Sequence, residues 1–136
     1  RLFFSLDALS ALAQWMTINE YVPRLEFVLC QPDNITQLIQ LFKNASNKRK
    51  SNKNKTSEYQ RTVLNAFQTF IGQSPRISHK LGDSNVFLEA LGEWFQNEHL
   101  PAEIVKGLLQ TLNKLFEYLE PSSKKKCAKT ILPIMD

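Results

Sequence analysis

One nine-residue pattern recurs three times along the chain, and it restricts the fold more than any other feature. Residues 8–16 (ALSALAQWM), 63–71 (VLNAFQTFI) and 108–116 (LLQTLNKLF) superpose without a gap. Large apolar side chains fill the second, fifth, eighth and ninth columns each time, and a polar one fills the third. Spacing of three and four puts those side chains on one side of a helix. The third copy sits inside the fullest helical signal, 102–120. Pro101 stands at its first turn, where a missing N–H costs nothing, and Pro121 lies just beyond its end.

The segment after each copy recurs as well. Pro23, Pro75 and Pro121 each open a short stretch that reaches Leu29, Leu81 and Cys127 six residues later. A second apolar helix pattern comes next, at 35–42, 88–95 and 131–135. The prolines are 52 and 46 residues apart and the nine-residue copies 55 and 45 apart. The longer first period contains a basic insertion, so the underlying unit is about 40–45 residues, the range of two- and three-helix repeats. The repeat-like units are 1–43, 57–96 and 101–136.

Boundary signals agree with this plan. Asp33 or Asn34 can cap the helix through Phe42, and Ser57 with Gln60 makes a capping box for the helix through Ile71. Asp83 and Ser84 offer caps before Val86, while Gly72 and Gly82 stand where helices should stop. No stretch has the alternation of a strand. The expected fold class is all-α.

At 136 residues the chain is long enough for one domain with a core of its own. No apolar run approaches the roughly 20 residues of a membrane span, and no signal peptide is visible. The chain opens on Arg1 directly into helical periodicity and closes on an apolar ILPIMD, as a segment of a longer protein would. Leu2, Phe3, Leu6, Ile131, Leu132 and Ile134 would then lie on end repeats with nothing stacked outside them. Self-association, or binding of a partner chain, through those apolar ends is expected.

The net charge of +4 is local. Residues 44–57 carry Lys48, Arg49, Lys50, Lys53 and Lys55 and no acid; without those five cations the rest of the chain stands at −1. With no aliphatic residue beyond Ala45, this insertion is expected to be a disordered loop. It could serve as a nuclear-import signal, a hook for nucleic acid or a phosphorylated segment. A solvated loop extension is the weightier reading, because nucleic-acid binders usually interleave aromatics with the charge. Lys124, Lys125, Lys126 and Lys129 read as the solvated side of a short helix.

The pieces of an active site do not assemble. Cys30 and Cys127 read as buried, reduced thiols. His79 and His99 lack partners at metal-ligand spacing. Glu89 and Glu93 read as solvent-facing, and no glycine-rich phosphate loop exists. The expectation is a non-enzyme without metal or cofactor.

Long helix, short proline-led helix and a further apolar helix, closing on TILPIMD, together resemble the armadillo/HEAT family of helical repeats. That resemblance covers nearly the whole chain and implies a right-handed helical solenoid of about three degenerate repeats. The family's glycine between its first two helices is clear only at Gly82, and the third unit has lysines there. The degenerate repeats and the Asn/Lys-rich insertion also resemble the armadillo-like regions that follow the catalytic domain in mitotic-exit and septation-network protein kinases. This implies a binding and localisation platform in cell-cycle signalling, with a protein or peptide partner such as a small GTPase. It also implies an intracellular, cytoplasmic protein with nuclear or spindle-pole association.

In such a solenoid the long helices line one surface, and their polar columns stack into a groove. Ser10, Asn65 and Gln110 form one column, Ala13, Gln68 and Asn113 the next, and Gln14, Thr69 and Lys114 the third. Amides and hydroxyls at this spacing suit the hydrogen-bonding groups of a peptide. The expected function is a non-catalytic protein-interaction scaffold. The alternative is a nucleic-acid-binding helical module working through residues 44–57.

Overall fold

A computed structural model describes residues 5–46, 53–97, 100–122, 124–125 and 128–129. Among the described residues every regular element is helical. The order is α1 (Leu6–Met16), a 3-10 turn (Asn19–Tyr21), α2 (Val22–Leu29), α3 (Pro32–Ser46), α4 (Lys53–Gln73), α5 (Pro75–Gly82), α6 (Asn85–Gln96) and α7 (Ala102–Glu117).

The three copies of the nine-residue pattern fall on α1, α4 and α7, and α4 packs between the other two. Like pairs with like behind them: α3 lies against α6, and α2 against α5. Burial follows from this order. α1 buries Leu9 and Met16, while α7 buries Leu108, Thr111 and Leu115. The middle helix buries the counterparts of both sets, Leu64 and Ile71 together with Val63, Ala66 and Phe70. The outer helices leave their remaining columns open. Trp15 is 50% exposed although its counterpart Phe70 is sealed, and Leu109 is 40% exposed where Leu9 and Leu64 are buried.

The floor under α4 is aromatic. The Phe42 ring of α3 lies 4.7 Å from Phe67, 4.9 Å from Phe87 and 5.0 Å from Trp94, measured between ring centres. All four side chains are fully buried. Tilted and offset ring pairs of this kind add roughly 0.5–1.5 kcal/mol each beyond their burial.

Polar groups close the end of α3, whose last carbonyls have no helical partner. Trp94 Nε1 donates to Phe42 O at 2.9 Å, Gln60 Nε2 to Ala45 O at 3.1 Å and Asn97 Nδ2 to Ser46 O at 3.2 Å. Each donor comes from another helix or its end, so the satisfied helix end also fixes how α4 and α6 meet α3. Between α2 and α5, Ser74 Oγ donates to Glu26 Oε2 and accepts from Ile77 N, capping α5. Pro75 opens that helix as the sequence indicates, and Ser84 caps α6 through Phe87 N.

Several boundaries differ from the sequence reading. Residues 44–46 belong to α3 and 53–57 to α4, so the expected disordered insertion 44–57 is helical at both ends. Lysine is a good helix former, and a helix anchored by its packed part extends into polar sequence cheaply. Ser57 with Gln60 is therefore no capping box: it lies inside α4, and Gln60 turns to the α3 carbonyl instead. Asn34 also lies inside its helix, its Nδ2 donating to Val28 O at 2.8 Å. Gly72 does not end α4, which runs to Gln73, and α7 stops at Glu117, short of Glu120. The second helix expected at 131–135 and the apolar ends Leu2, Phe3, Ile131, Leu132 and Ile134 lie outside the described residues.

Candidate functional site

The polar columns lie along two clefts, one on either side of α4. Between α1 and α4 is an open depression of about 260 Å³, lined by Ser10, Ala13, Gln14, Thr17, Thr62, Asn65, Ala66 and Thr69. Four of the expected site residues, Ser10, Gln14, Asn65 and Thr69, thus share one surface with Ala13 as part of its floor. Among the described residues no charged side chain lines it.

The lining hydroxyls are oriented by their own helices. Thr17 Oγ1 donates to Gln14 O at 2.6 Å and Thr69 Oγ1 to Asn65 O at 3.0 Å. A hydroxyl that donates backwards still has lone pairs free to accept. Among the described residues, the side-chain amides of Gln14 and Asn65 have no hydrogen-bond partner. The depression therefore offers amide donors and acceptors beside hydroxyl acceptors, with methyl groups from Ala13 and Ala66.

Between α4 and α7 the same positions meet and the space is filled. Gln68 Nε2 donates to Gly107 O at 3.1 Å and to Gln110 Oε1 at 3.2 Å. Gly107 permits a close approach: a Cβ there would stand 2.6 Å from Leu64 Cδ2. The Lys114 chain lies across Gly72, its Nζ 3.4 Å from where a Cβ would be. Arg61 and Glu103 form an ion pair at the edge of this cleft, exposed enough to be worth little to stability. Asn113, the last of the expected site residues, is exposed on α7 and lies on neither cleft's contact set.

By the ungapped superposition, Ala13 corresponds to Gln68, Thr17 to Gly72, Thr62 to Gly107, Asn65 to Gln110 and Thr69 to Lys114. The first-named residue of each pair lines the depression between α1 and α4, and the second lies in the contact between α4 and α7. Thr17 and Thr62 were not legible as site residues because each falls one position outside the nine-residue window.

Of the basic residues, Lys48, Arg49 and Lys50 lie outside the described residues, and Lys53 and Lys55 fall in the first turn of α4. Lys124, Lys125 and Lys129 are exposed. Glu89 is exposed as expected, but Glu93 is half-buried and accepts from Ser46 Oγ at 3.4 Å. Cys30 is a buried free thiol, held above its ordinary titration range first by burial and then by Glu26, against the opposing pull of Arg76 and Lys80. Cys127 and His99 lie outside the described residues. Among the described residues no three His, Cys, Asp or Glu side chains cluster as metal ligands would, and no helix is long and apolar enough to cross a membrane.

No family model, no curated protein and no solved structure matches the chain.

Proposed function

We propose that this chain is a non-catalytic protein-interaction segment, an armadillo/HEAT-like helical solenoid that holds an extended peptide on its α1–α4–α7 surface. The uncharged, amide-lined depression between α1 and α4 carries this reading. Its Gln14 and Asn65 amides, exposed and without a protein partner among the described residues, are groups that a peptide backbone or a neutral polar side chain can bond. Repetition supports it as well, since three like helices present equivalent columns in register, the arrangement by which solenoids build extended binding surfaces. The platform role in a larger signalling protein, with a peptide or small GTPase as partner, follows from the resemblance rather than from the cleft.

The test is selection of binding peptides from a displayed random library against the folded chain, followed by mapping of amide chemical shifts. Expected are shifts at Ser10, Gln14, Asn65 and Thr69, affinity that changes little between low and moderate salt, and weakening by Asn65→Ala combined with Gln14→Ala. Binding that collapses with salt and vanishes on deletion of 47–52 would point instead to phosphate contacts and overturn the proposal.

A further inference from the structure

We infer that the depression between α1 and α4 is a receptor for a carboxamide side chain, glutamine or asparagine, presented by an uncharged stretch of a partner polypeptide. The inference rests on the peptide-binding reading and names what the peptide must carry.

The cleft on the other side of α4 shows what this position is built to hold. There a carboxamide from the chain itself, that of Gln68, reaches across to Gly107 O and Gln110 Oε1. In the α1/α4 cleft the position corresponding to Gln68 is Ala13, which ends at Cβ and donates nothing, while the position corresponding to Gln110 carries an amide again, Asn65. One interface therefore contains its own bridging amide; the other keeps an amide, Asn65, at one receiving position, has Thr62 at the other, and lacks the bridge. The open space is where the missing amide would lie.

Size and chemistry narrow the guest. Liquid water takes about 30 Å³ per molecule, so a depression of about 260 Å³ is more than one trapped solvent site. Room for several waters is room for one side chain. A carboxylate or an ammonium group would lose hydration against neutral partners, with no opposite charge lining the site among the described residues. An aliphatic side chain would offer the exposed Gln14 and Asn65 amides nothing in place of the water it displaces. A carboxamide both donates and accepts, as those two amides and the acceptor hydroxyls of Thr17 and Thr69 require.

The test uses three blocked pentapeptides that differ only at the centre (Gln, Glu or Met between alanines), titrated into the whole chain with amide chemical shifts as readout. The Gln peptide should move Gln14, Asn65 and Thr69 and bind about tenfold more tightly than either analogue, the factor for one or two net hydrogen bonds. Ala13→Gln supplies the amide internally and should abolish those shifts while the fold, checked by circular dichroism, is kept. Gln68→Ala should do the reverse, opening the second cleft and adding shifts at Gly107 and Gln110. Should Ala13→Gln unfold the chain, the Gln68→Ala gain alone decides. Equal binding of the Met and Gln peptides, or a Gln68→Ala chain with no new shifts, would overturn the inference. Library-selected peptides that occupy the cleft without glutamine or asparagine would overturn it too, yet leave the broader peptide-binding reading standing. If neither these nor the pentapeptides bind there, both fail.

Discussion

The two clefts beside α4 share a register and differ in how they are finished. On the α7 side, a glycine lets the helices close, a glutamine spans the gap, and a lysine and an ion pair cover the edge. On the α1 side, Thr62 stands where the glycine would be and Ala13 where the glutamine would be, and a depression is left. Two helix pairs can thus share one spacing pattern and differ, at two or three positions, in whether the cleft between them is filled.

The largest effect should come from what both clefts stand on. Phe42→Ala removes a fully buried ring from among Phe67, Phe87 and Trp94 and should cost about 3–5 kcal/mol, read from urea unfolding. Amide hydrogen exchange should then accelerate in α1 and in α7 alike. Acceleration confined to one of them would mean that the two clefts are not parts of one cooperative body, and the comparison would fail there.

Next comes a pair of matched substitutions. Gly107→Val drives a branched side chain into Leu64 and should destabilise by roughly 1–3 kcal/mol. Thr62→Val, at the corresponding position in the open cleft, should stay within about 1 kcal/mol, because Thr62 already carries a branched side chain there. Equal costs, measured as unfolding midpoints at unchanged slope, would show that the closed and open clefts do not differ in packing.

Much of this was legible in the sequence, and the remainder was hidden for identifiable reasons. The recurrence of residues 8–16, 63–71 and 108–116 marked the three helices that pack side by side, because helical spacing of apolar residues is a local signal. It also marked Ser10, Gln14, Asn65 and Thr69, four residues that meet in the open depression. It could not show that Gln68 would be consumed by Gly107 and Gln110, since a hydrogen bond across 42 residues depends on how two helices approach. Nor did composition reveal that 53–57 continue α4: charge argued for a loop, while packing of the following turns decided for helix. Ser57 and Gln60 show the same thing on the scale of single residues. Their spacing fits a cap, but a buried α3 carbonyl claimed Gln60.

A smaller effect isolates the bridging amide itself. Gln68→Ala removes donors to Gly107 O and Gln110 Oε1 and should cost about 0.5–1.5 kcal/mol. The loss is modest because Thr111 Oγ1 also donates to Gly107 O, at 2.8 Å, so the carbonyl keeps a partner. A Gln68→Ala chain as stable as the parent would mean that the bridge fills space without holding the helices, and that the two clefts differ in shape alone.

The smallest effect lies behind the open cleft, where α2 meets α5, and its sign follows from burial. Cys30 caps the C-terminal end of α2, and its titration is raised above an ordinary value of 9.0 by desolvation first and by Glu26 next, although Arg76 and Lys80 oppose. The folded chain therefore keeps the thiol proton at a pH where the unfolded chain has released it. Stability from this group is full below the unfolded value and declines as pH rises through the folded one. Tyr59 on α4, also raised by burial, adds a loss of the same sign at a higher pH. Unfolding midpoints should fall from about pH 9 upward, and Cys30→Ala should flatten the first part of that fall while leaving the later part. Because the thiol sits with α2 and α5, hydrogen exchange in α1 and α2 should respond to alkali before exchange in α7. Simultaneous loss in α7, or a profile that Cys30→Ala leaves unchanged, would show that the rear row does not set the stability of the open side.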